Sequence, residues 1–349
     1  MTSAARIDDR VRAEARARVD GLAKPLGALG RLEDAMVWLA GVQGTASPRP
    51  PTGVAVVVFA GDHGITADRS VSAYPRQVTA MMVREFLRGG AAVNVLAGAN
   101  GARVRVLDLA VDDDLADTPD DIRRHKVRRG SGAIHREDAL TAAEVQAALR
   151  AGRAIADEEI DAGADLLVPG DMGIGNTTVA AAVVGTVLGR QAADVVGRGT
   201  GVDDPTWRGK RDAVAAALER ARRHRDDPVA VLRTVGSADM AAATAFLVRA
   251  AERGTPVLLD GVVSGACALL AERLAPGARA WWCAGHRSTE PAHRLALASL
   301  GLAPLLDLEL RLGEASGALA ALPLLRTAAS LLDGMATLES VTEKVAVLE

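Results

Sequence analysis

Val54-Ala-Val-Val-Val-Phe-Ala60, followed by Gly61-Asp-His-Gly64, is the stretch on which the fold turns. A strand with one wet face alternates polar and apolar residues; an unbroken, β-branched-rich run is buried on both faces. Such strands belong to a parallel sheet, whose crossover connections lay helices over it. The run stops at glycine and an acid, which hand the chain to a loop. The unit recurs at Val104–Leu109, Asp165–Pro169, Pro256–Asp260 and Ala278–Ala284, each followed by a glycine-containing or polar loop and a helical stretch.

Outward from these units the chain is helical. Residues 5 to 45 read as helix, interrupted at Lys24–Gly30, and a Pro-rich linker follows at Ser47–Thr52. Beyond residue 300, Leu305–Leu312 leads to Gly313-Glu-Ala-Ser-Gly317 and a helix from about Ala318. The pattern predicts an α/β, Rossmann-like fold, a parallel sheet with helices on both faces, and the length leaves room for a smaller subdomain or a second domain.

Composition narrows the function. A formal net charge of −3 gives no electrostatic footprint for nucleic acid. The basic run Arg123 to Arg129 follows an acidic stretch, Asp112 to Asp121, and reads as a solvated, self-compensating connection. Cys267 and Cys283 lie in apolar segments and read as reduced core residues of a cytoplasmic protein. The N-terminus has no apolar signal region, and no uncharged apolar stretch reaches the ~20 residues of a membrane span. The six histidines lack metal-ligand spacing, so no metal is expected.

The post-strand loops hold the chemistry. In open α/β sheets, ligands bind beyond the strand C-termini. Asp171-Met-Gly173-Ile-Gly175-Asn176-Thr177-Thr178 joins an apolar strand to a helix start. Its glycines admit a close ligand, its free N–H groups attract an anion and its hydroxyls donate. It lacks the Gly-Lys-Ser/Thr ending of a Walker loop and the third glycine of a dinucleotide fingerprint. A single phosphate fits it best; a tight turn with Asn/Thr capping is the plainer alternative. Gly199-Thr200-Gly201-Val-Asp203-Asp204, with Lys210 beyond, has the groups for ribose and phosphate, or is a helix connection in which an aspartate caps the next helix. Glu314, between a glycine and a helix start, is either a general base or an acid complementing a helix dipole. His63 and His286 read as loop-bracing residues.

Seven motifs occur in one order: Lys24-Pro-Leu-Gly-Ala-Leu-Gly-Arg-Leu-Glu33, Ala60-Gly-Asp-His-Gly-Ile65, Val71-Ser-Ala-Tyr-Pro75, Asp171–Thr178, Gly199–Asp204, Gly285-His-Arg-Ser288 and Leu310-Arg-Leu-Gly-Glu314. Together, over roughly residues 20 to 340, they resemble the nicotinate-nucleotide–dimethylbenzimidazole phosphoribosyltransferase family. The resemblance implies phosphoribosyl transfer from nicotinate mononucleotide to a benzimidazole-type base in cobalamin biosynthesis, by a homodimer and with no cofactor. It implies a smaller, mostly helical domain assembled from residues 1–50 and 301–349 beside a large α/β domain, 51–300, that carries the nucleotide site, with Glu314 as catalytic base and Asp171 as supporting acid. Phosphate and ribose fall to Gly173, Gly175, Asn176, Thr177, Thr178, Gly199, Thr200, Gly201, Asp203, Lys210 and Ser288, and the base to Ser72, Met81 and Leu312. Many members carry glutamate where Asp171 stands, and glutamine near Met81 and Met82. Another azole, a purine or a phenol as acceptor, or a nucleotide sensor without turnover, are the alternatives.

Overall fold

The computed structural model describes residues 3–346; the outermost residues of both terminal segments, 1–2 and 347–349, lie outside the described residues. Five parallel strands form one sheet: β1 Val54–Gly61, β2 Arg103–Ala110, β3 Leu166–Met172, β4 Val257–Leu259 and β5 Trp282–Ala284. Their order is β2-β1-β3-β4-β5. Every residue of β1 is buried, as its unbroken apolar run requires of a central strand.

The helices, in chain order, are α1 Asp9–Asp20, α2 Arg31–Gln43, α3 Val78–Arg88, α4 Ala92–Ala99, α5 Asp120–Arg123, α6 Ala142–Asp161, α7 Asn176–Leu188 and α8 Ala192–Val195. After them come α9 Asp204–Ala221, α10 Pro228–Val235, α11 Ala238–Glu252, α12 Val262–Leu274, α13 Pro291–Leu300, α14 Ser316–Gly334 and α15 Leu338–Ala346. Two groups cover the sheet. α11, flanked by α6 and α12, packs on β1, β2 and β3; α14, flanked by α2 and α4, packs on β3 and β4. No helix among the described residues is long and apolar enough to cross a membrane.

The strand order positions the site. β2 lies on one side of β1 and β3 on the other, so the crossover direction reverses between β1 and β3. Loops leaving such a pair diverge and open a crevice beyond the strand C-termini. Here the loop after β3 folds back over the end of β1. A Cβ on Gly173 would collide with the Gly61 carbonyl, and only glycine allows that approach.

The outermost strand is shorter than its apolar run suggests. Within Ala278–Ala284 only Trp282–Ala284 is strand; Ala278–Trp281 is a 3-10 turn. Ala278 and Trp281 are both buried, and buried apolar residues look alike in either backbone. The charged connection compensates itself as expected: Arg129 pairs with Asp112 at 3.2 Å and Asp114 at 2.8 Å. Lys126 goes further, placing its ammonium 2.8 Å from the fully buried Asp108. Both cysteines are free, Cys267 buried and Cys283 half-buried.

Candidate active site

A cleft opens at the C-terminal edge of the sheet, where ligands of open α/β sheets bind. Its walls are the Asp171–Thr177 loop, the turn at Gly199-Thr200, the start of α12 at Gly261–Val263, the post-β5 residues His286, Ser288 and Glu290, and Arg311–Gly313. Ser72 closes one side, where its hydroxyl lies 3.4 Å from that of Thr200.

One side gathers a helix start and a buried lysine. Gly175 (φ +93°) caps α7 in the left-handed conformation and turns the chain so that the helix begins at the cleft. A Cβ there would sit 2.8 Å from Thr66 Cγ2. Beneath this floor lies Lys210, fully buried on α9. Its ammonium donates to Thr177 Oγ1 at 2.8 Å and forms no ion pair among the described residues. Burial holds its pKa below the usual lysine value, opposed by the charge of Glu290. Gly199 keeps the passage to it open: a Cβ there would stand 2.9 Å from Thr177 Oγ1 and 3.1 Å from the ammonium. Glu290 accepts the Gly199 N–H at 2.8 Å and Arg311 donates to the Gly199 carbonyl at 2.9 Å, so the turn is held from both sides. On the lysine's helix, Trp207 lies between the guanidinium groups of Arg198 (5.9 Å) and Arg211 (5.1 Å), and its indole N–H donates to the Val196 carbonyl at 3.2 Å.

The other side carries two acids. Asp171 is the last residue but one of β3, and the Glu314 N–H donates to its carbonyl at 3.3 Å. Gly313, Glu314 and Ala315 have φ of +85°, +60° and +66°. Three left-handed residues in succession, two of them not glycine, are a costly turn. It is pressed against β3, where a Cβ on Gly170 would lie 3.0 Å from both Glu314 C and Ala315 N. Burial pushes the Asp171 carboxyl up to about 7, helped by the negative charges of Asp260, Asp239 and Glu314 and opposed by a hydrogen bond from Asn176. Burial also raises Glu314, against a hydrogen bond from the Val93 N–H, and Asp260 adds to the rise. One Glu314 oxygen, Oε2, is buried without a partner. Two acids whose protons are held more tightly than usual are suited to accept a proton near neutral pH.

The structure brings together Asp171, Gly173, Gly175, Asn176, Thr177, Gly199, Thr200, Ser288, Ser72 and Leu312 along the cleft. Glu314 follows directly on the lining residue Gly313, and Lys210 reaches the floor from below. Four sequence expectations fall elsewhere. Asp203 caps α9 by accepting the Thr206 N–H at 2.9 Å, so the capping alternative describes it. Thr178 is fully buried in the helix side of the loop. Gly201 (φ +89°) faces the guanidinium of Arg311 at 3.4 Å from its would-be Cβ. Met81, on the outer side of α3, is 62% exposed. Sequence reasoning passed over Arg311, Glu290 and Asp260. Asp260 ends an apolar segment, and both it and Glu290 lie in strand-following loops, the one signal that marks them.

Fold and cleft together fall within a known class: the model of a family described as phosphoribosyltransferase matches residues 4–342. Among curated relatives, the nicotinate-nucleotide–dimethylbenzimidazole phosphoribosyltransferase of Mycolicibacterium paratuberculosis is 60% identical over 331 residues, 95% of this chain and 94% of the relative. Its namesake in Mycobacterium tuberculosis is 57% identical over 330 residues, 95% of this chain and 91% of the relative. The crystal structure of CobT from Thermus thermophilus superposes with a TM-score of 0.90 at 47% identity, covering 95% of this chain and 98% of that one. The chain belongs to the nicotinate-nucleotide–dimethylbenzimidazole phosphoribosyltransferase family.

Proposed function

We propose that this phosphoribosyltransferase moves the 5-phosphoribosyl group of nicotinate mononucleotide to 5,6-dimethylbenzimidazole, giving α-ribazole 5′-phosphate and nicotinate in cobalamin biosynthesis. The observation that carries the reading is the pairing of a buried Lys210, free of any ion pair among the described residues, under one wall with proton-holding Asp171 and Glu314 at the other. The phosphate seats at Gly173–Thr177 and Gly199, within reach of the Lys210 ammonium. Ser288 and Thr200 lie beside the ribose, and Ser72 and Leu312 beside the acceptor base.

The donor's ring nitrogen is already a cationic pyridinium, so its bond to the anomeric carbon breaks with the electron pair returning to nicotinate. The acceptor nitrogen's lone pair forms the new bond on the opposite face, and the configuration inverts. The benzimidazolium so formed loses its remaining N–H proton to Glu314, whose carboxylate is made more basic by burial. Holding both partners in line supplies up to ~7–11 kcal/mol in well-oriented reactions.

The test is release of nicotinate from nicotinate mononucleotide across a panel of benzimidazoles, purines and phenols. Release with dimethylbenzimidazole, lost in Glu314→Gln, supports the reading. Binding without release from any base replaces it with a sensor, and faster release with a purine or phenol changes the acceptor.

The assembly we propose is a homodimer. Leu26 (77% exposed) and Tyr74 (57%) leave apolar surface that a second copy would cover. A light-scattering mass of one chain refutes it. We also assign residues 1–50 with 301–349 to a small helical domain on the 51–300 domain, and place the protein in the cytoplasm, which suits its unpaired cysteines.

A further inference from the structure

Asp260 follows β4 and is fully buried, yet no lysine or arginine pairs with it among the described residues. Its Oδ1 accepts two backbone N–H groups, from Gly317 at 2.8 Å and Ala318 at 2.9 Å. Those donors belong to the first turn of α14, directly after the Gly313–Ala315 turn that carries Glu314. Its second oxygen, Oδ2, has no hydrogen-bond partner. His286 Nε2 lies 3.5 Å from Oδ1, and a Cβ on Gly317 would collide with the His286 ring, so the imidazole fills the space beside the helix start.

This arrangement exceeds what capping a helix requires. Serine, threonine or asparagine satisfies first-turn N–H groups without burying a charge. An aspartate sealed from water brings a negative charge that the two N–H groups only partly offset. Two other carboxylates lie close enough to respond to it. Asp171 reaches the same edge from β3, and its proton is held partly by the Asp260 charge. Glu314 precedes the capped helix, and Asp260 also raises its proton affinity. The other ionisable groups around them include Asp239 on α11, whose charge acts on Asp171 in the same direction, Cys267 on α12, which feels both aspartates, His63, 4.0 Å from Asp239, and His286, which faces Asp260 from the loop after β5 and has His293 beside it.

We infer that Asp260 is a positioning residue for the transfer reaction: through the first-turn N–H groups of α14 it fastens the strained Glu314 turn to the sheet edge, and it sets a buried negative charge beside the Asp171 and Glu314 carboxyl groups. The inference rests on the reading of Glu314 as proton acceptor. Asp260 itself touches no reacting atom. One carboxylate thereby does two things, with Oδ1 setting where Glu314 stands and the net charge setting how tightly the pair holds protons.

The two contributions separate by substitution. Asp260→Asn keeps an amide oxygen for Gly317 and Ala318 and removes the charge. Asp260→Glu keeps the charge and displaces the acceptor by a methylene. Full kcat–pH profiles are measured for both and for the wild type, with the nicotinate mononucleotide KM and the thermal midpoint recorded in parallel. Asp260→Asn is expected to move the acidic limb of kcat to lower pH, with KM changed less than about twofold. Asp260→Glu is expected to leave the limb near its wild-type position and lower kcat at least about tenfold. If Asp260→Asn does not fold, the limb in Asp260→Glu decides alone, and a limb displaced there overturns the charge role. Superimposable profiles for Asp260→Asn and wild type overturn it as well. Undiminished kcat in Asp260→Glu overturns the fastening role. Glu314→Gln, run alongside, isolates the premise: retained kcat there shows that Glu314 is not the acceptor, whatever the Asp260 variants do.

Discussion

Replacing Asp171 with asparagine tests the electrostatics of the site without substrate. The side chains have the same shape, and the amide oxygen can still accept from Asn176. What changes is the proton. In the folded protein the Asp171 carboxyl titrates at about 7, against 3.8 for an ordinary aspartate. Between those values the folded chain holds a proton that the unfolded chain has released. Stability from this group is therefore full at low pH and is lost as pH rises towards 7, by roughly 1.4 kcal/mol per pH unit. Over the two units from pH 5 to 7 the loss is about 2.7 kcal/mol. Urea unfolding at pH 5 and pH 8 is the assay. Wild type is expected to lose about 2.7 kcal/mol more than Asp171→Asn between the two conditions, with the variant the more stable at pH 8. Parallel stability–pH curves would mean that the carboxyl is ionised without cost in the folded state, and the case for a proton-holding pair would fall.

Three further outcomes follow from the cleft. Lys210→Met removes the ammonium and keeps the stem; calorimetry should show nicotinate mononucleotide weakened by ~1.5–3 kcal/mol, the scale of a hydrogen bond to a charged group, with free benzimidazole unaffected. Equal weakening of both ligands contradicts a phosphate role. Gly175→Val meets a positive φ of +93° and the Thr66 methyl at 2.8 Å, so it should abolish mononucleotide binding, while Thr177→Val costs ~1–2 kcal/mol; tight binding by a folded Gly175→Val protein moves the phosphate elsewhere. Gly170→Ala presses on the backbone of Glu314 and Ala315 at 3.0 Å, and kcat should fall at least about tenfold with little change in mononucleotide affinity. A matching loss of affinity would show that the whole cleft, and not the Glu314 turn, had moved.

The strands were legible because a central parallel strand leaves no residue facing water, and β1 writes that condition over eight consecutive positions. β5 was less legible, since its buried neighbours Ala278 and Trp281 satisfy the same hydrophobic demand in a 3-10 turn. Within the cleft, the glycine loops announced themselves through residue types that few other backbones tolerate. Asp203 and Thr178 share those types and serve local purposes, one as a cap and one as packing. Asp260 could be placed at the end of a strand unit, but its role was unreadable for the opposite reason. Its partners, Gly317 and Ala318, stand 57 and 58 residues away, and no local pattern reports a hydrogen bond that only the completed sheet edge creates.

The chain has four tryptophans, and three of them, Trp38, Trp281 and Trp282, gather around the 3-10 turn and the N-terminal segment, with Trp38 bonded to Ala280 and Trp281 to Ala5. Trp207 stands apart, wedged between two guanidinium groups one helical turn before Lys210. An indole held by cations, and tied through Val196 to the segment leading into the Gly199 turn, is an optical gauge already installed beside the Lys210 side of the cleft. A ligand that redistributes charge at Arg198 or Arg211 should change its emission, and a titration of the unlabelled protein would read that change against the other three tryptophans.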